Sequence, residues 1–556
     1  MEDWLRLVIS CFPIIISERM QGTKPDRKVS LKEKEALYKL FRKQRQASSV
    51  VINSPPSVQK LLSELIVISI AYCWDFFEEI DWKFVLQQFR FWVEAAVVMM
   101  EEIVKNVNCT WTNECNEVNS SLIKLEKMVV ISDPFLIELA RNALVGVSLF
   151  SYALELDDLI FEGILRLFFC TAAAEAITNL CSNEASYIIA SSRLEHHKFW
   201  ELVAACAVQS STRARGKAIK SFEILGLSTG AINSLYALLF SCKPLPPLQL
   251  AAFSLLLSET VAPLAFTSDN DKAFDVGTSD KEDSVDLSSA GMIVLREEIS
   301  YKLEKPPYEI LQMDLVAPER VNVLVAWCLL LSHIASLSSS SPKRARLIQY
   351  VQDSTNSGIL DCLFQNIPLD ILMGTNSRKK DIELPAAVSE AANAATRAIT
   401  TSSVLYSLES LWPITPESMA LLAGAAFGMM VHCLPSYVRG WFCDIRDRSK
   451  SSSIESFTKA SCSPMLISNE LSEVKKAKLA EDNFFISVST STKEVVATYS
   501  KDETGMGMSI RFPPSYPLKN VEIDGTRSFG ISVLKCRDLL KSLTPFVHNR
   551  MAWLKQ

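Results

Sequence analysis

Histidine and cysteine are the side chains that could carry catalysis or hold a metal here, and their spacing favours neither role. His196 and His197 stand beside Glu195, but no HExxH pattern accompanies them. The 14 cysteines are scattered singly; no CxxC occurs, and Cys109 and Cys115 are the closest pair. With five histidines in the whole chain, local motifs do not assemble a zinc finger or a RING. We expect no metal site in this chain.

Other patterns that bring reactive groups together are equally weak. Gly505-Met506-Gly507 is typical of a turn that enters a strand, and the sequence contains no Walker loop and no GxGxxG. Cys433 and Cys443 flank a tryptophan, but nothing around either thiol indicates activation. We therefore predict no catalytic residue.

Length and composition indicate a large helical protein. The chain has 556 residues, of which 48% are hydrophobic, 22% are charged and only 17 are glycine. This length predicts several domains or one long repeat array, and the scarcity of glycine favours helices. The apolar start, 4–16, is broken by Arg6 and Pro13 and lacks a cleavage site for a signal peptide. We expect a cytosolic protein with reduced thiols.

Charge is spread unevenly along the chain. The net charge is −6, yet from Arg439 to the end 18 lysines and arginines face 13 acidic residues. A mildly basic tail suits an acidic partner such as rRNA, and an excess of this size is also within ordinary scatter. The basic amphipathic stretch at 31–46 likewise fits either nucleic-acid contact or the solvated face of a repeat helix.

The order of apolar segments predicts an α-solenoid. Asp133-Pro134 is a helix start, and apolar helices then follow one another to Phe266 with short polar joints. Such a succession is typical of repeats in which each helix pair packs on its neighbours. We predict helical repeats at 1–266 and 293–440, separated by an acidic, serine-rich flexible linker at 267–292.

Two apolar features within this body predict buried packing. The aromatic cluster between Trp74 and Trp92 is interleaved with acidic residues, which argues against nucleic-acid stacking and favours a core. Three charge-free windows reach the length of a membrane span, but each is diluted by polar residues. We predict buried solenoid helices, with Gly424 and Gly428 allowing close approach of a neighbour; the windows are 224–242, 321–342 and 418–438.

The last part of the chain, 441–556, changes pattern. Residues alternate with period two at 484–488 and 506–512, and 494–500 is rich in β-branched side chains. A helix near 454–478 precedes these strands, a turn containing Tyr516-Pro517 follows them, and 533–547 carries one apolar helical stripe. A helix, about four strands, this turn and a closing helix predict an RWD-type domain, a fold that binds proteins without doing chemistry.

Four segments of the second half resemble the listerin family of RING-type ubiquitin-protein ligases. They are SSSSPKRARLIQYVQDSTNSGILDCLFQNIPL at 338–369, LPSYVRGWFCDIRDRS at 434–449, IESFTKASCSPMLISNEL at 454–471, and STKEVVATYSKDE with SIRFPPSYPLKNVEI within 491–523. The resemblance implies a mainly α fold, a HEAT/ARM-like α-solenoid followed by a small C-terminal α/β RWD-type domain. Listerins continue into a RING, whereas this sequence ends at Gln556, so by resemblance we expect it to be inactive alone.

The resemblance also implies a role and partners. The chain would be the part of a ligase that binds the large ribosomal subunit, within the ribosome quality control complex that ubiquitinates stalled nascent chains. A ubiquitin-conjugating enzyme and zinc would bind only through the RING. By charge, candidates for contact with the ribosome are Arg439, Arg446, Arg448, Lys475, Lys476 and Lys478. The alternative function is a non-enzymatic helical-repeat scaffold with an RWD protein-interaction module.

Overall fold

The computed structural model divides the chain into two compact units, Met1–Phe266 and Thr267–Gln556. The described residues are 2–15, 24–47, 54–113, 134–150, 158–180, 197–224, 230–241, 245–267, 294–369, 386–476, 484–501 and 504–529. Apart from Thr267, the predicted acidic linker lies outside them. So does the predicted closing helix at 533–547.

The first unit is built of helices joined by turns, with a small hairpin near its start. In that hairpin β1 (Ile14–Ile15) pairs antiparallel with β2 (Lys24–Pro25). The described helices are α1 (Glu2–Ser10), α2 (Leu31–Gln46), α3 (Pro56–Cys73), α4 (Glu79–Asn113), α5 (Pro134–Phe150), α6 (Asp158–Leu180), α7 (His197–Gln209), α8 (Thr212–Ile224), α9 (Ala231–Leu239), α10 (Pro246–Leu256) and α11 (Ala262–Phe266).

Helix α2 shows how sequence sets an element of this unit. Its start is a capping box, in which Ser30 accepts from the Glu33 backbone N–H and the Glu33 carboxylate accepts from the Ser30 N–H. Leu37 and Phe41 are buried on one face. The lysines of the opposite face stay exposed, as its amphipathic pattern predicts; these are Lys32, Lys39 and Lys43.

The predicted aromatic core exists, although not every aromatic residue joins it. The rings of Phe41 and Phe77 stack with centroids 4.5 Å apart, and Trp82 lies 4.9 Å from Phe77. Trp74 and Phe91 are 54% and 64% exposed, so the prediction is wrong for these two. Phe91 is exposed because it falls on the outer face of α4, two residues after the fully buried Phe89.

The second unit continues the helical pattern and ends in a sheet. Its described helices are α12 (Glu297–Leu303), α13 (Pro307–Gln312), α14 (Pro318–Ser336), α15 (Pro342–Ser354), α16 (Ile359–Asn366), α17 (Ala386–Thr401), α18 (Leu405–Glu409), α19 (Pro416–Cys433), α20 (Pro435–Asp444), α21 (Arg448–Ser461) and α22 (Ser463–Lys476).

Two glycines let α17 and α19 pack unusually close together. A Cβ atom added at Gly424 would lie 2.2 Å from the carbonyl oxygen of Ala391. One added at Gly428 would lie 2.5 Å from the carbonyl oxygen of Ala395. Side chains at these positions would therefore overlap the neighbouring backbone, and the predicted role of Gly424 and Gly428 is confirmed.

The apolar helices bury their length against protein. Val321–Ile334 of α14 is buried throughout, and α19 is buried almost throughout, as predicted. Among the described residues, Pro56–Phe76 is long and apolar enough to cross a membrane, and 67% of its apolar window is buried. The α19 and α20 segments pass that test only as a pair, bent by 110°. Packing within each unit thus accounts for the apolar character of these helices.

A proline divides the helix predicted near 454–478 into two. Helix α21 ends at Ser461, and α22 begins at Ser463 with Pro464 in its first turn. Proline has no backbone N–H and clashes with the preceding turn, so an uninterrupted helix cannot pass through this position. The prediction of one continuous helix is wrong here.

Four antiparallel strands follow in the order β3 (Phe484–Ser489), β4 (Glu494–Lys501), β5 (Thr504–Arg511) and β6 (Glu522–Phe529). Each strand pairs with the next, with one irregularity between Gly507 and Met508. The apolar row Val488, Val495, Ile510 and Ile523 lies across one face, where Val495 and Ile510 are buried. A mainly α chain that ends in a small four-stranded sheet domain is therefore confirmed.

Candidate docking surface

The turn between β5 and β6 packs deeply into the second unit. Its aromatic and aliphatic residues, Phe512, Tyr516, Leu518 and Val521, are at most 5% exposed. The rings of Phe512 and Tyr516 meet edge to face, with centroids 5.2 Å apart. Burial of this much apolar surface anchors the turn.

Hydrogen bonds from two different helices fix this turn. The Nε–H of Arg439 in α20 donates to the carbonyl oxygen of Pro517 over 2.8 Å. At the start of α22, the Ser463 hydroxyl donates to the carbonyl oxygen of Tyr516 over 2.6 Å. The Tyr516 hydroxyl donates to Glu470 of α22 over 3.3 Å. We call these five residues the joint, because they bind the sheet to the last helices.

Burial sets the charge states in the joint. Burial raises the pKa of Tyr516 far above its usual range, and the negative charge of Glu470 adds to this effect. Burial lowers the pKa of Arg439 from its ordinary value. At neutral pH the phenol is therefore a hydrogen-bond donor while the guanidinium keeps its charge. Beside the joint, an ion pair between Lys519 and Glu455 ties the turn to α21.

The structure places the predicted cations in different environments. Arg439 is half-buried and bonded within the joint, whereas Arg446, Arg448 and Lys475 are exposed. Lys476 is exposed but forms an ion pair of 3.3 Å with Glu473 one turn earlier. Lys478 lies outside the described residues. The Asp447 side chain caps the start of α21. This cap fixes the backbone from which the side chains of Arg446 and Arg448 project.

Helix α21 carries a further exposed cation that sequence reasoning missed. Arg448, Ser452, Ser456 and Lys459 are all exposed and follow helical spacing, so they form one stripe about 16 Å long. Within the described part of the chain, no carboxylate lies within ion-pair distance of Arg446, Arg448 or Lys459. The hydrogen bond from Lys519 lowers the pKa of Glu455, and the charge of Lys459 one turn later adds to this effect. The spacing of Arg448 and Lys459 was readable in the sequence and could have revealed this stripe.

Polar side chains on one face of the sheet are linked by hydrogen bonds and an ion pair. Glu494 accepts hydrogen bonds from Ser509 and from the Nε–H of Arg511, and Arg511 also reaches Asp524 at 3.8 Å. The hydrogen bond from Ser509 and the charge of Arg511 lower the pKa of Glu494. Phe485 lies on this face and is 64% exposed. Phe485 is thus an exposed aromatic side chain on the same face as this polar network.

Metal-ligand chemistry finds no support in the part of the chain that the structure describes. No group of three or more His, Cys, Asp or Glu side chains that could hold a metal occurs there. His197 is exposed at the start of α7, while Glu195 and His196 lie outside the described residues. Cys433 is buried, and burial raises the pKa of its thiol to about 12. That thiol is not activated.

The sequence also contains one pattern typical of hydrolases, which was not predicted to be functional. Residues 226–230 read Gly-Leu-Ser-Thr-Gly, the Gly-x-Ser-x-Gly pattern of hydrolase nucleophiles. In those enzymes the pattern joins a strand to a helix. Here α8 ends at Ile224 and α9 begins at Ala231, and 225–229 lie outside the described residues. A helix on each side does not provide the required context.

Comparison with known proteins separates a region of helices from the sheet domain. Residues 225–475 match the LTN1 family HEAT repeat region. Residues 484–554 match a ubiquitin conjugating domain-like family. The first match covers helices α9 to α22, and the second begins at β3.

Curated relatives of the chain carry a single name, E3 ubiquitin-protein ligase listerin. That of Xenopus tropicalis is 25% identical over 341 residues, which are 59% of this chain and 19% of that protein. That of Schizosaccharomyces pombe is 30% identical over 135 residues, 22% of this chain and 8% of that protein. That of Saccharomyces cerevisiae is 34% identical over 116 residues, 20% and 7% respectively. The matched part spans 19% or less of the length of these relatives.

Proposed function

We propose that this chain, which is similar in sequence to the listerins, is the part of an E3 ubiquitin-protein ligase that binds the large ribosomal subunit. In this proposal it works in the cytosol, within the ribosome quality control complex that ubiquitinates stalled nascent chains. The relatives support the ligase, since they are named as E3 ubiquitin-protein ligases. Binding to the ribosome rests on the surface of the second unit.

One observation carries the ribosome proposal: exposed cations outside any ion pair lie beside the joint. Arg446, Arg448 and Lys459 are exposed, and no carboxylate of the described residues lies within ion-pair distance of them. Nucleic-acid backbones are bound by such side chains, because each phosphate contact releases a condensed counterion. The joint keeps these cations in a fixed position relative to the sheet.

We assign ubiquitin transfer to a RING and not to the residues of this sequence. A RING holds its conjugating enzyme on bound zinc, and neither a CxxC nor a local Cys/His motif occurs in the 556 residues. The conjugating enzyme would thus be recruited through the RING, while this chain supplies the ribosome contact. Metal analysis of the purified chain should find zinc far below one equivalent, and stoichiometric zinc would contradict this assignment.

The alternative function is a non-enzymatic scaffold in which an RWD-type module docks a protein. The exposed ring of Phe485 on the polar sheet face is the observation that favours it. Docking of that kind is apolar and depends little on salt, whereas phosphate contacts weaken steeply as salt rises.

Salt dependence therefore tests the proposal. Purified chain and isolated large ribosomal subunits are sedimented together between 50 and 300 mM KCl, roughly the range over which phosphate contacts weaken. We expect binding that declines steeply with salt. Binding that is constant over this range, and is lost in Phe485→Ala, would support the scaffold instead.

A further inference from the structure

A cleft lies in the second unit between α17, α18 and the start of α19. Its volume is about 940 Å³, at the upper end of the range of small-ligand sites. It is lined by side chains of mixed character, among them Glu390, Asn393, Arg397, Tyr406, Ser410 and Glu417. None of these residues belongs to the joint or to the basic stripe of α21.

A cation stacked on an aromatic ring marks the centre of the cleft. The guanidinium carbon of Arg397 lies 3.7 Å from the ring centroid of Tyr406, which is itself 49% exposed. Stacking holds the guanidinium by its flat face and leaves the N–H groups at its edge free. Arg397 has no ion-pair partner among the described residues. Its edge is therefore open to a carboxylate, which it can bind with two parallel hydrogen bonds.

The side chains next to Arg397 present hydrogen-bonding groups to the same space. The Thr400 and Thr401 hydroxyls donate to the carbonyl oxygens of Thr396 and Arg397, so their own oxygens remain acceptors. Asn393, one turn before Arg397, is exposed and bonds to no described residue. Acceptors and an amide in a row can bind the N–H and C=O groups of an extended backbone.

The charges have a spacing that fits such a chain. Glu390 and Arg397 are two helical turns apart, about 10.5 Å along α17. Three residues of a polyproline II chain span about 9 Å and complete one turn, so side chains three positions apart lie on the same side of the backbone. Glu417 adds a second acidic group to the lining of the cleft. The two carboxylates disfavour phosphate and nucleic acid, because like charges repel.

We propose that this cleft binds a peptide segment of a partner protein in the extended polyproline II conformation, with an acidic residue on Arg397 and a basic residue three positions away on Glu390. The backbone of the segment contacts Asn393 and the threonine hydroxyls. The proposal does not rest on ribosome binding, because it uses different residues.

A random dodecapeptide phage library selected on the full chain tests the proposal. We expect enriched peptides with a basic and an acidic residue three positions apart. Synthetic versions should bind at least 10-fold more weakly to Arg397→Glu, because the guanidinium bonds are lost and repulsion replaces them. The matched control is Arg346→Glu, an exposed arginine on α15 outside the cleft, which should bind normally.

A variant with the two charges exchanged separates a loss of binding from misfolding. The double variant Glu390→Arg with Arg397→Glu should lose the original peptides and bind peptides whose two charges are exchanged. Enrichment without this charge pattern, equal binding by Arg397→Glu and the native chain, or no rescue by the exchanged peptides would overturn the proposal. Arg397→Glu should keep native ribosome co-sedimentation, so failure of the two proposals can be told apart.

Discussion

The Nε–H of Arg439 lies 2.8 Å from the carbonyl oxygen of Pro517, 78 residues further along the chain. This bond connects α20 of the helical repeats to the turn of the sheet domain. Two further bonds in the joint, from Ser463 and to Glu470, hold the same turn. The sheet and the last helices should therefore behave as one body.

Arg439→Met should loosen the turn without unfolding the repeats. A hydrogen bond from a charged donor contributes about 1.5–3 kcal/mol, so local opening should rise roughly 10-fold or more. The reporters are the amides of Tyr516 and Leu518, which are bonded within the turn. Hydrogen exchange of 512–521 by mass spectrometry measures the change. Arg448→Met, an exposed match, should exchange as the native chain does; equal exchange in both variants would show that the bond contributes nothing.

Tyr516 should make stability sensitive to alkaline pH. Its pKa is raised by burial and by Glu470, so the unfolded chain releases this proton at a lower pH than the folded chain. The stability that the protonated Tyr516 contributes is fully present below the usual tyrosine pKa of about 10. It declines as pH rises above that value. Thermal midpoints between pH 8 and 11 should fall less steeply in Tyr516→Phe. Parallel curves for the two proteins would contradict this expectation.

Gly424 and Gly440 should respond oppositely to alanine. Gly424→Ala places a Cβ against the carbonyl oxygen of Ala391, and overpacking of this kind costs about 1–3 kcal/mol. Gly440 lies within α20 with no atom within 4 Å of an added Cβ. Gly440→Ala should stabilise the helix by about 0.5–1 kcal/mol. Urea unfolding measures both, and a neutral Gly424→Ala would disprove the close approach of α17 and α19.

His333 should stay neutral well into the acid range. Burial, and to a smaller extent the charge of Lys343, lowers its pKa to about 4. As pH falls through about 6.5, the unfolded chain binds a proton at this imidazole that the folded chain does not bind. The stability that the neutral His333 contributes is therefore present above that pH and declines as pH falls towards 4. The imidazole C2 proton of His333 should not shift in NMR between pH 7.5 and 5.5. His333→Gln should reduce the loss of stability over that interval, and a midpoint near 6.5 would contradict the burial argument.

Local signals explain what the sequence could predict. Apolar helices, the period-two strands and the spacing of Gly424 and Gly428 are readable from neighbours in the chain, and all are found. The environment of Arg439 was not readable, because its partner Pro517 meets it only after folding. The helix break at Pro464 and the exposed position of Lys459 could have been predicted from the sequence but were not. Pro464 ends a helical pattern, and Lys459 lies at helical spacing from Arg448.

The central claim is that cations of the second unit bind the large ribosomal subunit. The most direct test is co-sedimentation of the triple variant Arg446→Glu, Arg448→Glu and Lys459→Glu with isolated large subunits. The control is a second triple variant with the same change in charge on exposed residues of the first unit, namely Lys39→Glu, Arg90→Glu and Lys220→Glu.

The triple variant should bind at least 10-fold more weakly than the native chain at 100 mM KCl. The slope of log affinity against log salt should fall by roughly 2 to 3, as each lost phosphate contact removes just under one unit. The control variant should bind as the native chain does. Native affinity and an unchanged salt slope in the triple variant would contradict the account.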